Sequence, residues 1–165
     1  MRSADEWFEA YGESHQNPTN KKIHWICIPL IFVSLIALLW EAKLPLELSG
    51  ELLSVPLSTW LNLGTLLIVG ALTYYAMISF SLALGMGLIS ALTIWAIFGL
   101  SSLGQAWGLS LVQLSLIIFI LAWIGQFIGH KIEGKKPSFF EDLQFLLIGP
   151  LWLLGFIYRR LGIGY

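Results

Sequence analysis

The sequence is poor in charged residues and has almost no cysteine. Only 12% of its 165 residues are charged, whereas soluble domains carry about 25%. Hydrophobic residues make up 57%, more than a domain of this size can bury, because its surface is large relative to its volume. We therefore expect lipid to cover much of the surface. The single cysteine, Cys27, excludes an intrachain disulfide and a CxxC metal site, and its apolar surroundings predict a buried thiol.

Several catalytic signatures are also missing. The chain has no GxSxG nucleophile elbow, no phosphate-binding P-loop and no GxGxxG dinucleotide fingerprint. Its three histidines are too few for the histidine-box desaturases and hydroxylases. A net charge of −1 argues against electrostatic binding of nucleic acid. No cleavable signal peptide is visible, so we expect the first internal helix to act as the membrane anchor.

The hydrophobic pattern predicts an all-α, polytopic membrane helix bundle, formed by a single domain over residues 1–165. A membrane-spanning helix needs about 20 apolar residues. The sequence has four to five segments of this kind, preceded by an amphipathic helix over residues 3–14. The apolar runs are 23–40, about 63–84, about 86–100, about 110–129 and about 143–158.

Local signals refine the boundaries of these helices. Asn17 and Pro18 predict a helix start, because asparagine caps helices and proline is tolerated in the first turn. Glycines at 85 and 87 predict a tight turn between the second and third runs. Gly149-Pro150 interrupts the fifth run, which either crosses the membrane or bends and lies in the interface. Most tryptophans fall near the ends of the runs and are interpreted as interfacial belt residues, at positions 25, 40, 60, 107, 123 and 152.

Charge placement predicts the orientation in the membrane. Lysines cluster just before the first span and in the 130–142 connection, whereas the 41–62 loop has one lysine and the 101–109 loop has none. The positive-inside rule therefore places the two clusters in the cytoplasm. Four crossings separate His24 from His130, and an even number returns the chain to the same side. We expect all three histidines on the cytoplasmic face.

Polar residues concentrate around these histidines. His15, Asn17, Asn20 and His24 lie within ten residues, and Asn20 and His24 share a helix face. Spacings of four and three residues place Gln126, His130 and Glu133 on one polar stripe, provided that the helix continues past Gly129. Such a stripe needs partners at membrane depth. The predicted partners are the polar groups at the mouth of the first span.

Imidazole is the commonest side-chain metal ligand, so three histidines from two segments predict a shared metal site. Fe(II) and Zn(II) both suit this ligand set, with carboxylates such as Glu133 and Glu141 as hydrogen-bonding partners. Lys135 and Lys136 are either an orientation signal or contacts to a substrate or a lipid headgroup. Two other interpretations stay open: a zinc-dependent hydrolase, and a non-catalytic membrane protein that binds a lipid headgroup or a partner through the polar cluster.

Two motifs resemble a membrane protein family. The first is Y-x3-H-x-N-P-x-N-x3-H-x4-P, from Tyr11 to Pro29, and the second is W-x2-Q-F-x-G-H-x2-E-x3-P, from Trp123 to Pro137. Both resemble the family of the yeast endoplasmic-reticulum 2-hydroxy fatty acid dioxygenase, which has many bacterial members. The two motifs are far apart and occur in the same order as in that family.

The resemblance implies an Fe(II)-dependent membrane dioxygenase that shortens a 2-hydroxy fatty acid by one carbon (α-oxidation). It also implies that His15, His24 and His130 are the catalytic iron ligands. Three histidines would leave coordination positions for the α-hydroxy carboxylate and for O2. The expected location is a bacterial inner membrane, and the expected partners are the fatty acid, O2 and membrane lipid, without nucleic acid.

Overall fold

The fold is known from a computed structural model, which describes the backbone of residues 2–46, 49–134 and 139–165, and the side chains of these ranges except 139–145. The described chain is a helix bundle, as the sequence predicts. Its helices are α1 (Ala4–Gly12), α2 (Pro18–Trp40), α3 (Leu57–Trp60), α4 (Leu63–Ile78), α5 (Phe80–Ala106), α6 (Leu111–Glu133) and α7 (Phe139–Leu161).

Within the residues that the structure describes, three helices, α2, α5 and α6, are long and apolar enough to cross a membrane, and the 16-residue α4 is a shorter apolar helix. Large apolar side chains are exposed along the outer faces of these helices, as expected where lipid is the solvent. The connection between α2 and α4, predicted only as a polar loop, contains a small antiparallel hairpin. Its strands are β1 (Glu51–Leu52) and β2 (Val55–Pro56).

The start of α2 follows the predicted signals. The Asn17 side chain accepts a hydrogen bond from the backbone N–H of Thr19 at 2.9 Å, and Pro18 occupies the first turn. This cap satisfies backbone donors that have no partner within the helix. Helix α6 continues past Gly129 to Glu133, which is the condition that the predicted polar stripe requires.

The predicted turn at Gly85-Met86-Gly87 is wrong, because these residues lie within α5. The chain instead reverses at Ser79, whose backbone is extended (φ −160°, ψ 125°) and whose hydroxyl accepts a hydrogen bond from the backbone N–H of Leu82. The serine caps the new helix, which the glycines cannot do because they have no side chain. Gly85 instead makes room for Tyr158 and Leu154 of α7, which lie where its Cβ would be.

Apolar clusters at the two ends of the bundle give the helix directions. At one end Ile28 packs with Tyr75 and Met86, and at the other the ring of Trp40 lies 6.2 Å from that of Phe98. Helix α5 therefore runs parallel to α2, and α4 runs antiparallel to both. The start of α2 and the junction between α4 and α5 share one end of the bundle, here called the histidine end.

Helices α1 and α7 pack antiparallel across the histidine end. Gly155 of α7 lies against the Phe8 ring, and Arg159 forms an ion pair with Asp5 at 3.2 Å. The Tyr158 hydroxyl donates to the Ser81 carbonyl at 2.9 Å, at the start of α5.

The earlier part of α7 lies at this same end, because the Tyr75 hydroxyl in the last turn of α4 donates to the Leu147 carbonyl at 2.7 Å. The helix runs unbroken through Gly149 and Pro150. It therefore lies across the histidine end rather than along the bundle, which corresponds to the interfacial alternative for the fifth apolar run.

Two tryptophans do not fit the predicted interfacial belt. Trp40 and Trp152 are buried inside the protein, at 3% and 4% exposure. Trp40 packs against the Trp60 ring at 5.9 Å, and Trp152 packs against the Tyr11 ring at 5.0 Å. Position near a span end could not separate these two from the exposed ones, because helix packing decides which face they occupy.

The placement of α7 predicts a labelling pattern in membrane vesicles. In a Cys27→Ala background, the variants Glu9→Cys and Ile163→Cys should react with an impermeant maleimide from the same side. Leu53→Cys, at the exposed hairpin tip beyond the far end of α2, should react only from the other side. Labelling of Ile163→Cys from the hairpin side would show that α7 crosses the membrane.

Candidate metal centre

Three imidazole rings meet at the histidine end. Their centroids are 4.3 Å apart for His15 and His24, 5.3 Å for His15 and His130, and 5.0 Å for His24 and His130. His15 lies in the connection between α1 and α2, His24 in the second turn of α2, and His130 in the last turn of α6. The structure thus brings together the three histidines that the sequence groups into one centre.

The ring of His15 is held by the helix that precedes it. Its Nδ1 lies 2.6 Å from the Tyr11 carbonyl oxygen, which can only accept, so Nδ1 carries the proton and donates. The ring also stacks on the Tyr11 side chain, with centroids 4.2 Å apart and planes 6° apart. Its Nε2 is buried without a hydrogen-bond partner. A buried nitrogen lone pair without a donor is available to bind a metal ion.

The ring of His24 is oriented in the same way. Its Nδ1 lies 3.0 Å from the carbonyl oxygen of Asn20, one turn earlier in α2, and therefore donates to it. The lone pair of this imidazole is then on Nε2. In metal sites a ligating histidine commonly donates its other N–H to a carbonyl or a carboxylate, which fixes the tautomer. Two of the three rings meet this requirement through backbone carbonyls.

The cluster suits a divalent metal ion. One nitrogen from each ring lies within 4.8 Å of the others. A metal about 2.1 Å from two imidazole nitrogens holds them at most about 4.2 Å apart, so slight ring movements would close the site. Burial lowers the pKa of His15 to about 4, because the imidazolium loses its hydration. At physiological pH the ring is neutral, which is the form that binds metal.

The Glu133 carboxylate connects the two histidine segments. Its Oε1 accepts a hydrogen bond from the Gln16 backbone N–H at 2.7 Å, and its Oε2 accepts from the Asn17 N–H at 2.9 Å and from the Asn20 amide at 2.9 Å. Glu133 ends α6 one turn after His130, and its partners lie between His15 and His24. The carboxylate therefore holds the loop that carries His15 against the helix that carries His130.

Small residues on α6 allow α2 to approach closely. A Cβ on Gly125 would lie 2.5 Å from the Cys27 sulfur, so this thiol fills the helix interface as a buried apolar group. A Cβ on Gly129 would overlap the Asn20 side chain and lie 3.2 Å from His24 Cε1. The glycine next to His130 thus sets how near the two helices bring their histidines.

The other predicted site residues have different positions. Asn17 caps α2, and the Asn20 amide donates to Glu133, so both stabilise the segments that carry the histidines. Gln126 is buried on α6, one turn before His130. Lys135, Lys136 and the Glu141 side chain lie outside the part of the chain that the structure describes.

Sequence reasoning missed two aromatic walls of the centre. The ring of Tyr11 stacks on His15, and the ring of Trp152 has its centroid 5.4 Å from that of His15. Tyr11 begins the first sequence motif, four residues before His15, and this position in the motif was the available signal. Trp152 could not have been found in this way, since α7 is distant in sequence.

Removing the Glu133 carboxylate should weaken metal binding. The Glu133→Ala variant leaves two backbone N–H groups and one amide without their acceptor, so the His15 loop loses its attachment to α6. We expect about 10- to 100-fold lower metal affinity, as for other partners of metal ligands. Glu9→Gln, on the exposed face of α1, is the matched control. Equal affinity of Glu133→Ala and wild type in a competitive chelator titration would contradict this role.

The close contact at Gly129 yields a second prediction. The Gly129→Ala variant should lower the free energy of unfolding by about 1–3 kcal/mol, because the added methyl group forces α6 away from Asn20 and His24. Gly87→Ala is the control, since nothing lies within 4 Å of its Cβ position in α5. It should be neutral or stabilising by up to about 1 kcal/mol through helix propensity. If the two variants unfold at similar temperatures, the close contact at Gly129 does not limit the approach of α2 and α6.

Comparison with known proteins supports the resemblance noted from the two motifs. Residues 1–161 match the family described as 2-hydroxy-palmitic acid dioxygenase Mpo1-like. This range includes α1, both histidine segments and all of α7. Comparisons with curated proteins and with solved structures found no match. The family match extends over almost the whole chain, and the chain therefore belongs to the 2-hydroxy-palmitic acid dioxygenase Mpo1-like family.

Proposed function

We propose that the protein is an Fe(II)-dependent membrane dioxygenase that shortens 2-hydroxy fatty acids by one carbon. The observation that carries the proposal is the meeting of three imidazoles, two of them oriented by backbone carbonyls, in a chain that matches this family over residues 1–161. His15, His24 and His130 would hold the iron. When bound, iron would supply the redox chemistry with O2, which no side chain of the protein can provide.

The protein itself contributes orientation and exclusion of water. His15 and His24 are 2% and 1% exposed, so bulk water does not reach their rings. The hydrogen bonds from their Nδ1 atoms keep both Nε2 atoms unprotonated. The rings of Tyr11 and Trp152 pack against His15, and His130 is partly exposed.

The location of the centre suits an amphiphilic substrate. The histidine end is where the apolar helices begin and end, so it lies at a membrane interface when α2, α5 and α6 cross. An acyl chain can then remain in the bilayer while its hydroxy-acid end reaches the metal. By the positive-inside rule this face is cytoplasmic, which in a bacterial cell is the inner face of the inner membrane.

Metal content and product formation test the proposal together. Protein purified anaerobically with Fe(II) should contain about one iron. His15→Ala, His24→Ala and His130→Ala should each lose it, because each substitution removes one of the three proposed ligands. Wild type should consume O2 and convert 2-hydroxypalmitate to the acid one carbon shorter. Palmitate is the matched control substrate and should not react.

The outcomes separate the alternatives. Protein that binds no iron under these conditions would contradict the dioxygenase and favour a non-catalytic lipid-headgroup or partner protein. If iron binds but no shortened acid forms, the proposed metal site is retained and the proposed substrate is refuted. Zinc bound with activity that needs no O2 would indicate a hydrolase.

A further inference from the structure

A half-open pocket lies at the seam between α2 and α7. It is lined by Trp25, Phe156, Ile157, Arg160 and Leu161, and its volume is about 330 Å³. Small-molecule sites span about 300–1,000 Å³, so the pocket is near the small end of that range. Among the lining residues that the structure describes, Arg160 alone is charged and the others are apolar or aromatic. A pocket of this kind fits a ligand with a short apolar segment and a negative charge.

The charge of Arg160 is not neutralised within the described part of the chain. Its neighbour Arg159 differs, because it forms an ion pair with Asp5 and donates a hydrogen bond to the Tyr165 hydroxyl. No acidic side chain among the described residues lies within 4.0 Å of Arg160. A guanidinium beside apolar and aromatic groups recognises carboxylates well, because it presents two parallel N–H donors.

The pocket is connected to the metal centre by packed aromatic rings. The ring of Trp25 lies 6.3 Å from that of Phe156, and Phe156 lies 4.7 Å from Trp152, which packs against His15. Trp25 also directly follows His24 in α2. Along α7, Arg160 is eight residues beyond Trp152, a distance of about 12 Å. A carboxylate held by Arg160 is therefore near the histidines but not on them.

We propose that this pocket is the entry site of the fatty acid. Arg160 binds the carboxylate of a single-chain acid arriving from the bilayer, and Trp25 and Phe156 hold its first methylene groups. The acid then moves along the α2–α7 seam to the histidines. The assignment to a substrate rests on the proposed function, whereas the binding of an ionised acid does not need iron or turnover.

Two features favour a fatty acid over an anionic phospholipid. The small volume suits one chain beside one charged group, whereas a glycerophospholipid brings two chains and a larger headgroup. The contacts from Trp25 through Phe156 to Trp152 also place the pocket beside the histidine centre, where the proposed reaction consumes a free acid. The test below includes phosphatidylglycerol as a competitor, so that it can detect binding of an anionic phospholipid instead.

The test measures binding of spin-labelled stearic acid and of its methyl ester to metal-free protein in phosphatidylcholine nanodiscs, by electron paramagnetic resonance. Without metal the histidines offer the carboxylate no ligand position. Wild type should bind the ionised acid about tenfold more tightly than the ester, the size of one charge-assisted hydrogen bond. Arg160→Gln should abolish this difference, whereas the matched control Arg159→Gln should keep it.

Three results would overturn the assignment. One is that Arg160→Gln still prefers the acid over the ester as strongly as wild type does. Another is that Arg160→Gln loses affinity for the acid and for the ester by the same factor. The third is displacement of the acid from wild type by phosphatidylglycerol as readily as by palmitate, which would make the pocket an anionic-phospholipid site.

In the iron-loaded enzyme, Arg160→Gln should raise KM for 2-hydroxypalmitate about tenfold, with unchanged iron content. The nanodisc measurement uses metal-free protein and tests only the binding of the acid. Its outcome therefore does not depend on whether the protein is a dioxygenase.

Discussion

The close packing of α2 against α6 is the constraint on which the candidate centre depends. His24 and His130 come from helices whose sequences are about a hundred residues apart, and their rings meet because α6 has glycines where it approaches the start of α2. Gly125 receives the Cys27 thiol, and Gly129 receives the Asn20 side chain. Without a hydrophobic force between helices in lipid, packing and polar contacts of this kind hold membrane helices together.

The polar contacts between these helices are concentrated at one carboxylate. Glu133 accepts hydrogen bonds from two backbone N–H groups and from the Asn20 amide, so one side chain satisfies donors at the start of α2 and also fixes the loop of His15. Backbone donors at a helix start need such partners. The same hydrogen bonds that complete the helix therefore also assemble the centre.

Helices α1 and α7 complete the environment by forming a layer across the histidine end. Tyr11 and Trp152 cover His15, which is why an imidazole in a loop is as buried as one inside a helix. This layer also creates the seam beside α2 at which Trp25, Phe156 and Arg160 meet. The apolar and charged parts of an amphiphile would both find partners along this face of the protein.

Much of the site could be predicted from spacing alone. Asn17 and Pro18 marked the start of α2, and the spacing of Gln126, His130 and Glu133 placed them on one stripe, because these signals act within a single helix. The error at Gly85 arose because a glycine within an apolar run can mark either a turn or a close helix contact. Deciding between them requires knowledge of Tyr158, which lies in another helix. Trp152 was misassigned for the same reason, since its burial depends on the docking of α7.

The central claim is that His15, His24 and His130 bind one iron ion together. X-ray absorption spectroscopy at the iron edge of the full-length protein tests it most directly, because imidazole ligands give a characteristic multiple-scattering pattern. The account predicts iron with three imidazole ligands, reduced to two in His15→Ala wherever residual iron remains. Iron bound without imidazole scattering, or with a pattern unchanged by that substitution, would contradict it.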